Sequence, residues 1–136
     1  MDRTVLGLAE IVLWTHDMER ALHFYRDLFG LEPMEAPEGV MPRFLRAAQG
    51  PGGVPQMIVL VPHPEAGSAF PREKPTRVLH HLAFNVGAAR YEELRERLAS
   101  EGLEVRGGIH PVLRGVRTFY VDDPEGNEVE VIAPEG

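Results

Sequence analysis

Apolar positions along the chain fall at two periods, one of strands and one of helices. Leu8–Trp14 is an apolar run of strand length, interrupted inside only by Glu10. Thr15-His16-Asp17 breaks that run, and Asp17 is a good helix N-cap. Met18, Ala21, Leu22, Tyr25, Leu28 and Phe29 then recur at helical spacing, so a helix is predicted there. Gly30 falls at its C′ position, with Leu31 placed to fold back on the last turn. Arg43–Ala48 and Gln56–Val61 read as strands, separated by the turn-rich stretch Gln49-Gly-Pro-Gly-Gly53.

The second half repeats this order. His80–Val86 reads as a strand, and Ala88–Ser100 as a helix with Tyr91, Leu94 and Leu98 on one stripe. Gly102-Leu103-Glu104 echoes Gly30-Leu31-Glu32, at an offset of 72 residues. A weaker strand near Leu103–Arg106 precedes strands at Val116–Val121 and Glu128–Ile132, the last two joined by the turn Asp122–Asn127. Between the halves, Pro62–Thr76 holds four prolines and reads as a linker. One such unit has too few apolar faces to close a core. Two together give an α+β architecture, a shared curved sheet with helices outside and a concave face free for a site. The expected organisation is one domain over residues 1–136, with module one at about 5–62, a linker at 62–77 and module two at about 78–134.

Composition narrows the function. A chain of 136 residues with 43% hydrophobic and 26% charged positions suits one domain with a substantial core. Its net charge of −7 disfavours nucleic acid and anionic membranes as partners. There is no cysteine, which excludes thiolate nucleophiles, disulfides and zinc–sulfur sites. The N-terminus lacks the pattern of a signal peptide, and no apolar run nears the roughly 18 residues of a membrane span. A cytoplasmic location is the expectation.

Several segments carry a family resemblance. Glu10-Ile-Val-Leu-Trp-Thr-His-Asp17, Ala21-Leu-His-Phe-Tyr25 and Leu28-Phe-Gly-Leu31 resemble the opening of vicinal oxygen chelate proteins. This family includes glyoxalase I, small epimerases, fosfomycin-resistance enzymes, bleomycin-resistance proteins and extradiol dioxygenases. His81-Leu-Ala-Phe-Asn-Val86 resembles its second ligand strand, and Tyr120–Glu130, with Asp-Pro-Glu-Gly-Asn inside, resembles its closing segment. The resemblance implies paired βαβββ modules and a divalent metal (Fe, Mn, Ni or Mg) held in the cup of the sheet. Its ligands would fall on Glu10, His81 and Glu130. Glu10 stands where many members carry histidine. A fourth ligand position, counted back through the duplication, falls near Ile58, and Gln56 would fill it only after a two-residue slip. At the position of Tyr120 the chain resembles extradiol dioxygenases, where a tyrosine hydrogen-bonds a metal-bound oxygen of the substrate.

The residues themselves leave alternatives open. Strand alternation puts residues 10, 12 and 14 on one face, likewise 81, 83 and 85, and likewise 128, 130 and 132. One histidine with two carboxylates is an oxygen-rich set that suits hard or borderline divalent ions and leaves positions for substrate. Against this, Glu128 and Glu130 together could be the solvated side of a strand. His81 beside His80 could be an ordinary histidine, and Glu10 could mark a dimer seam or an exposed edge. Tyr120 has a bland reading too, as an aromatic on a half-buried strand. His63 is a candidate mobile acid or base, with a simple loop histidine as the alternative. Val12 and Trp14 share a face with Glu10 and are candidate pocket walls.

Three functional classes follow. One is a metal-dependent enzyme on a small substrate with vicinal oxygens, either a glyoxalase- or epimerase-like lyase or isomerase, or a ring-cleaving dioxygenase. Another is a metal-free binding protein of the bleomycin-resistance type. The third is a structural module with a relict site. The resemblance also implies a homodimer, in some members with exchanged modules.

Overall fold

The computed structural model describes residues 5–64 and 79–136. Most of the proline-rich segment at 62–77 therefore lies outside the described residues. The chain divides into two compact units, Met1–Ser68 and Ala69–Gly136.

In the first unit, β1 (Glu10–Thr15) runs into α1 (Met18–Leu22), which continues as a π-helical turn over His23–Leu28. Asp17 caps α1, its Oδ1 accepting from Arg20 N at 3.1 Å. The last turn widens, with Phe29 N donating to Phe24 O at 3.0 Å, a bond spanning five residues. Gly30 adopts φ +77°, and Leu31 N reaches back to Tyr25 O at 3.0 Å. That closes the helix as the Gly30-Leu31 pair predicts. Phe24, Tyr25 and Leu28 are buried, so the widened turn still keeps its apolar stripe inward.

Strands β2 (Glu32–Pro33), β3 (Arg43–Ala48) and β4 (Gln56–Pro62) complete a sheet in the order β1-β4-β3-β2, with β1 and β4 parallel. The two-residue β2 has no sequence signal of its own, because it is too short to show a period. A one-residue irregularity in β3 separates the pair Arg46–Met57 from Ala48–Gln56. Leu13, Leu45, Ile58 and Leu60 form the buried face of the sheet.

The second unit has the same plan. β5 (Leu82–Asn85) is followed by a short 3-10 turn at Ala88–Arg90 and by α2 (Tyr91–Ser100), with Tyr91, Leu94 and Leu98 buried as their spacing predicts. Gly102 takes φ +83°, and Leu103 N returns to Leu98 O at 3.3 Å. β6 covers Arg106–Gly108 rather than Leu103–Arg106. Residues 103–105 are irregular, and pairing begins only at Arg106, where β7 lies alongside. β7 (Val116–Asp122) and β8 (Glu128–Pro134) complete the order β5-β8-β7-β6. The strands thus form two four-stranded mixed sheets, one in each unit, each with its own helix. Val121, Val129, Val131, Ala133 and Phe119 are fully buried and make the core of the second unit.

Candidate functional site

The β7–β8 hairpin sets the geometry of the site. Its turn is organised by Asp123, which is only 6% exposed. Asp123 Oδ1 accepts from Glu125 N at 2.9 Å and Asn127 N at 2.8 Å, and Oδ2 accepts from Asn127 Nδ2 at 3.0 Å. Gly126, at φ +82°, lets the chain turn back. The register that follows pairs Tyr120 with Glu130 and Asp122 with Glu128. On the other side of β8, Ala83 pairs with Glu130, and His81 lies two residues earlier, just ahead of β5. One row of the sheet therefore reads Arg106, Tyr120, Glu130, Ala83.

His81 and Glu130 meet. His81 Nε2 lies 3.2 Å from Glu130 Oε1. Glu130 is 3% exposed, so it is not a solvated strand carboxylate, and its Oε2 has no hydrogen-bond partner. A buried carboxylate oxygen without a donor is costly, and such an atom calls for an explanation such as an absent cation. The carboxylate of Glu130 and the imidazole nitrogen beside its Oε1 are a fitting pair of donors for a divalent ion.

His80 was not anticipated as part of this site. Its Nδ1 lies 2.8 Å from His81 Nδ1, so one imidazole donates and the other accepts. If His81 is the donor, its Nε2 keeps the lone pair that a metal ligand needs, which is how an outer hydrogen bond fixes a tautomer. Strand alternation would have sent adjacent histidines to opposite faces. Both precede the first paired residue, Leu82, so alternation does not bind them. His80, His81 and Glu128 also place donor atoms within 4.8 Å of one another. Glu128, however, is engaged by Arg106, whose Nη2 reaches Glu128 Oε2 at 3.2 Å and Asp122 Oδ1 at 2.8 Å.

Tyr120 stands against this group, its ring centroid 6.1 Å from that of His81. Burial pushes its phenol above the ordinary value, and the neighbouring Glu130 and then Glu128 add to the effect. Tyr120 is therefore a neutral hydrogen-bond donor at physiological pH. Its raised ionisation favours the fold below the unfolded tyrosine value, and that contribution is lost as pH rises through the folded value. In an absorbance titration of phenolate, Glu130→Gln should bring one tyrosine part of the way back down. An unchanged titration would show that the carboxylate does not act on Tyr120. Gly108 leaves the room for this ring, since a Cβ there would collide with Tyr120 Cε2.

Glu10 belongs to the first unit. It is exposed at the start of β1, on the same face as Val12 and Trp14, which are 52% and 48% exposed. The register corrects the counting of a fourth ligand. Ala83, two residues after His81, pairs with Glu130, and Val12, two residues after Glu10, pairs with Val59. Val59, not Ile58, is thus the counterpart of Glu130, and it is a buried aliphatic. The helix-end glycines are 72 residues apart but Glu10 and His81 only 71. Counting from the glycines slips by one position, which on a strand means the opposite face. Gln56, one before Met57, alternates to the face opposite Glu10 and Val59.

His63 is not a loose loop residue. Its N–H donates to Thr15 O at 2.9 Å, and its ring stacks on His16 at 4.3 Å and meets Trp14 edge-on at 5.3 Å.

The family model for the Glyoxalase/Bleomycin resistance protein/Dioxygenase superfamily matches residues 7–131. The chain belongs to this superfamily. A glyoxalase/dioxygenase from Nostoc punctiforme superposes with a TM-score of 0.72 at 21% identity, over 98% of this chain and 99% of the other. Lactoylglutathione lyase from Agrobacterium tumefaciens gives 0.66 at 26% identity, over 98% and 97%. An antibiotic-binding protein from Streptomyces, TnmS3, gives 0.62 at 20% identity, over 98% and 99%. No curated protein matches the sequence significantly. Among the described residues, no helix is long and apolar enough to cross a membrane.

Proposed function

We propose that the chain is a divalent-metal-dependent enzyme acting on a small substrate with vicinal oxygens. The observation that carries this reading is the buried Glu130 carboxylate, whose Oε1 meets His81 Nε2 while its Oε2 has no hydrogen-bond partner. His81 and Glu130 are the proposed ligands, with Glu10 as the third, as the family resemblance implies. Glu128 is the weaker candidate, because Arg106 already neutralises it. Bound there, a divalent ion would supply Lewis acidity to paired substrate oxygens. Tyr120, kept protonated, would donate a hydrogen bond to a substrate oxygen as negative charge develops on it. Proton transfer of the isomerase or lyase kind is the favoured chemistry, with ring cleavage as the other branch.

A metal-free binding protein is the second reading. The exposed Val12 and Trp14, beside Val59 and Val61 on the same sheet face, offer an apolar surface for a ligand. The similar antibiotic-binding protein makes this a real competitor.

Elemental analysis of protein purified without chelator separates the two. Near-stoichiometric metal is expected, lost in His81→Gln, weakened in Glu10→Gln and retained in Glu128→Gln. Iron would favour ring cleavage, whereas manganese, nickel or magnesium would favour isomerase or lyase chemistry. Wild-type protein that takes up none of these ions on incubation would sink the enzyme reading. A homodimer is proposed from the family resemblance, and a monomer in sedimentation equilibrium would refute it.

A further inference from the structure

The first unit contains a polar cavity of about 370 Å³ that the metal reading does not use. Arg46, Gln49, Gly50, Gly53 and Pro55 line it, where β3 turns into β4. Arg46 is its single cation among these, and the chain as a whole carries −7. The guanidinium is under-used. Its Nε is buried without a hydrogen-bond partner, and Nη1 lies 3.7 Å from Glu32 Oε1, an ion pair too long for a hydrogen bond. Leaving a buried donor of a charged group unpaired is unfavourable, and few native groups are left so.

The backbone around it is also constrained. Gly50 cannot accept a side chain, because a Cβ would run into the carbonyl oxygen of Val54. Gly53 sits at φ +79° with nothing within 4 Å of where its Cβ would be. Neither position carries a side chain, so the wall is bare backbone at both, closed over by Val54 at Gly50 and open at Gly53. The irregularity after Arg46 in β3 lies beside the cavity, and such bulges re-aim side chains. An unsaturated guanidinium, an amide side chain and bare peptide groups together suit a small oxyanion, above all a planar carboxylate that a guanidinium can grip with two bonds.

We propose that this cavity binds a small organic anion through an oxyanion headgroup held by Arg46. By register, Arg46 stands on the same sheet face as Glu10, with Met57 between them. Two strand spacings separate them, roughly 10 Å. The binding does not depend on the metal reading.

The test is a titration of the full-length protein, in constant chloride, with malonate and with inorganic phosphate, followed by NMR. Saturable shifts at the Gly50 and Gly53 amides, the Gln49 side chain and the Arg46 Nε–H are expected. Arg46→Met should abolish them, and Arg46→Lys should weaken malonate binding at least ~10-fold, by loss of the guanidinium fork. Glu130→Gln should leave them intact, so failure of the metal site and failure of this site read differently. Stronger binding of malonate than phosphate marks a carboxylate headgroup, and the reverse order a phosphate; either supports the oxyanion site. Shifts that persist unchanged in a folded Arg46→Met protein, or no saturable shift in the wild type, would overturn the proposal. Should Arg46→Met fail to fold, Arg46→Lys with Gln49→Ala decides, and unchanged affinity in both overturns it.

Discussion

Glu130→Gln is expected to weaken divalent-metal binding at least ~100-fold while making the metal-free protein more stable, not less. The two effects have one origin. Glu130 is 3% exposed, touches His81 through Oε1 and leaves Oε2 without a donor. Such a carboxylate is incompletely compensated for its desolvation, and a neutral amide of the same shape removes most of that penalty. The amide can also donate, which the carboxylate cannot. A stable core that tolerates an unfavourable group is what a functional site looks like in energetic terms. Metal affinity moves the other way, because an anionic oxygen ligand is replaced by a neutral one and only His81 remains at close range. Calorimetric titration with manganese and nickel gives the first quantity, and thermal melts of metal-free wild type and variant give the second. A variant that melts lower without metal would mean that Glu130 is a structural carboxylate. Undiminished metal affinity would move the site to His80, His81 and Glu128.

Much of this was legible in the chain. Asp17 marked the start of the first helix, and the C′ glycines Gly30 and Gly102 the close of both, because capping is a local matter of side-chain oxygen and left-handed backbone. The long strands were readable as apolar runs bounded by turn residues, β4 even being buried on both faces at its centre. β2 and β6 were not, since two- and three-residue strands have no period and exist only through the partner that pairs with them. The site divides the same way. Glu130, His81 and Tyr120 could be named from motif and order, and the hairpin register then puts Tyr120 and Glu130 opposite each other. His80 was missed because its contact with His81 depends on backbone that precedes the strand. The place of Glu130's counterpart was missed because a one-residue difference between the halves moves a side chain across the sheet, and only the parallel pairings of Val12 with Val59 and Ala83 with Glu130 reveal it. The Arg46 cavity has no motif at all, being formed by a bulge and a turn.

Asp123→Ala should destabilise the protein by about 3 kcal/mol, the typical scale for stripping several hydrogen bonds from a buried ionised group. Asp123 receives two backbone N–H groups and the Asn127 amide, and its own N–H donates to Asn127 O at 2.8 Å. Alanine leaves those donors without their acceptor. The consequence reaches the site, because this turn is what holds β7 and β8 in the register pairing Tyr120 with Glu130. A slip of one residue would send Glu130 to the core side of β8 and bring Val129 or Val131 in its place. Chemical denaturation should show the lower midpoint with an unchanged slope, and metal affinity should fall in parallel although Asp123 is no ligand. Asp123→Asn, which keeps an acceptor oxygen for the turn, should recover most of both. Loss of stability without loss of affinity would show that the hairpin register survives the missing cap, and would place the control of Glu130 in its pairing with β5.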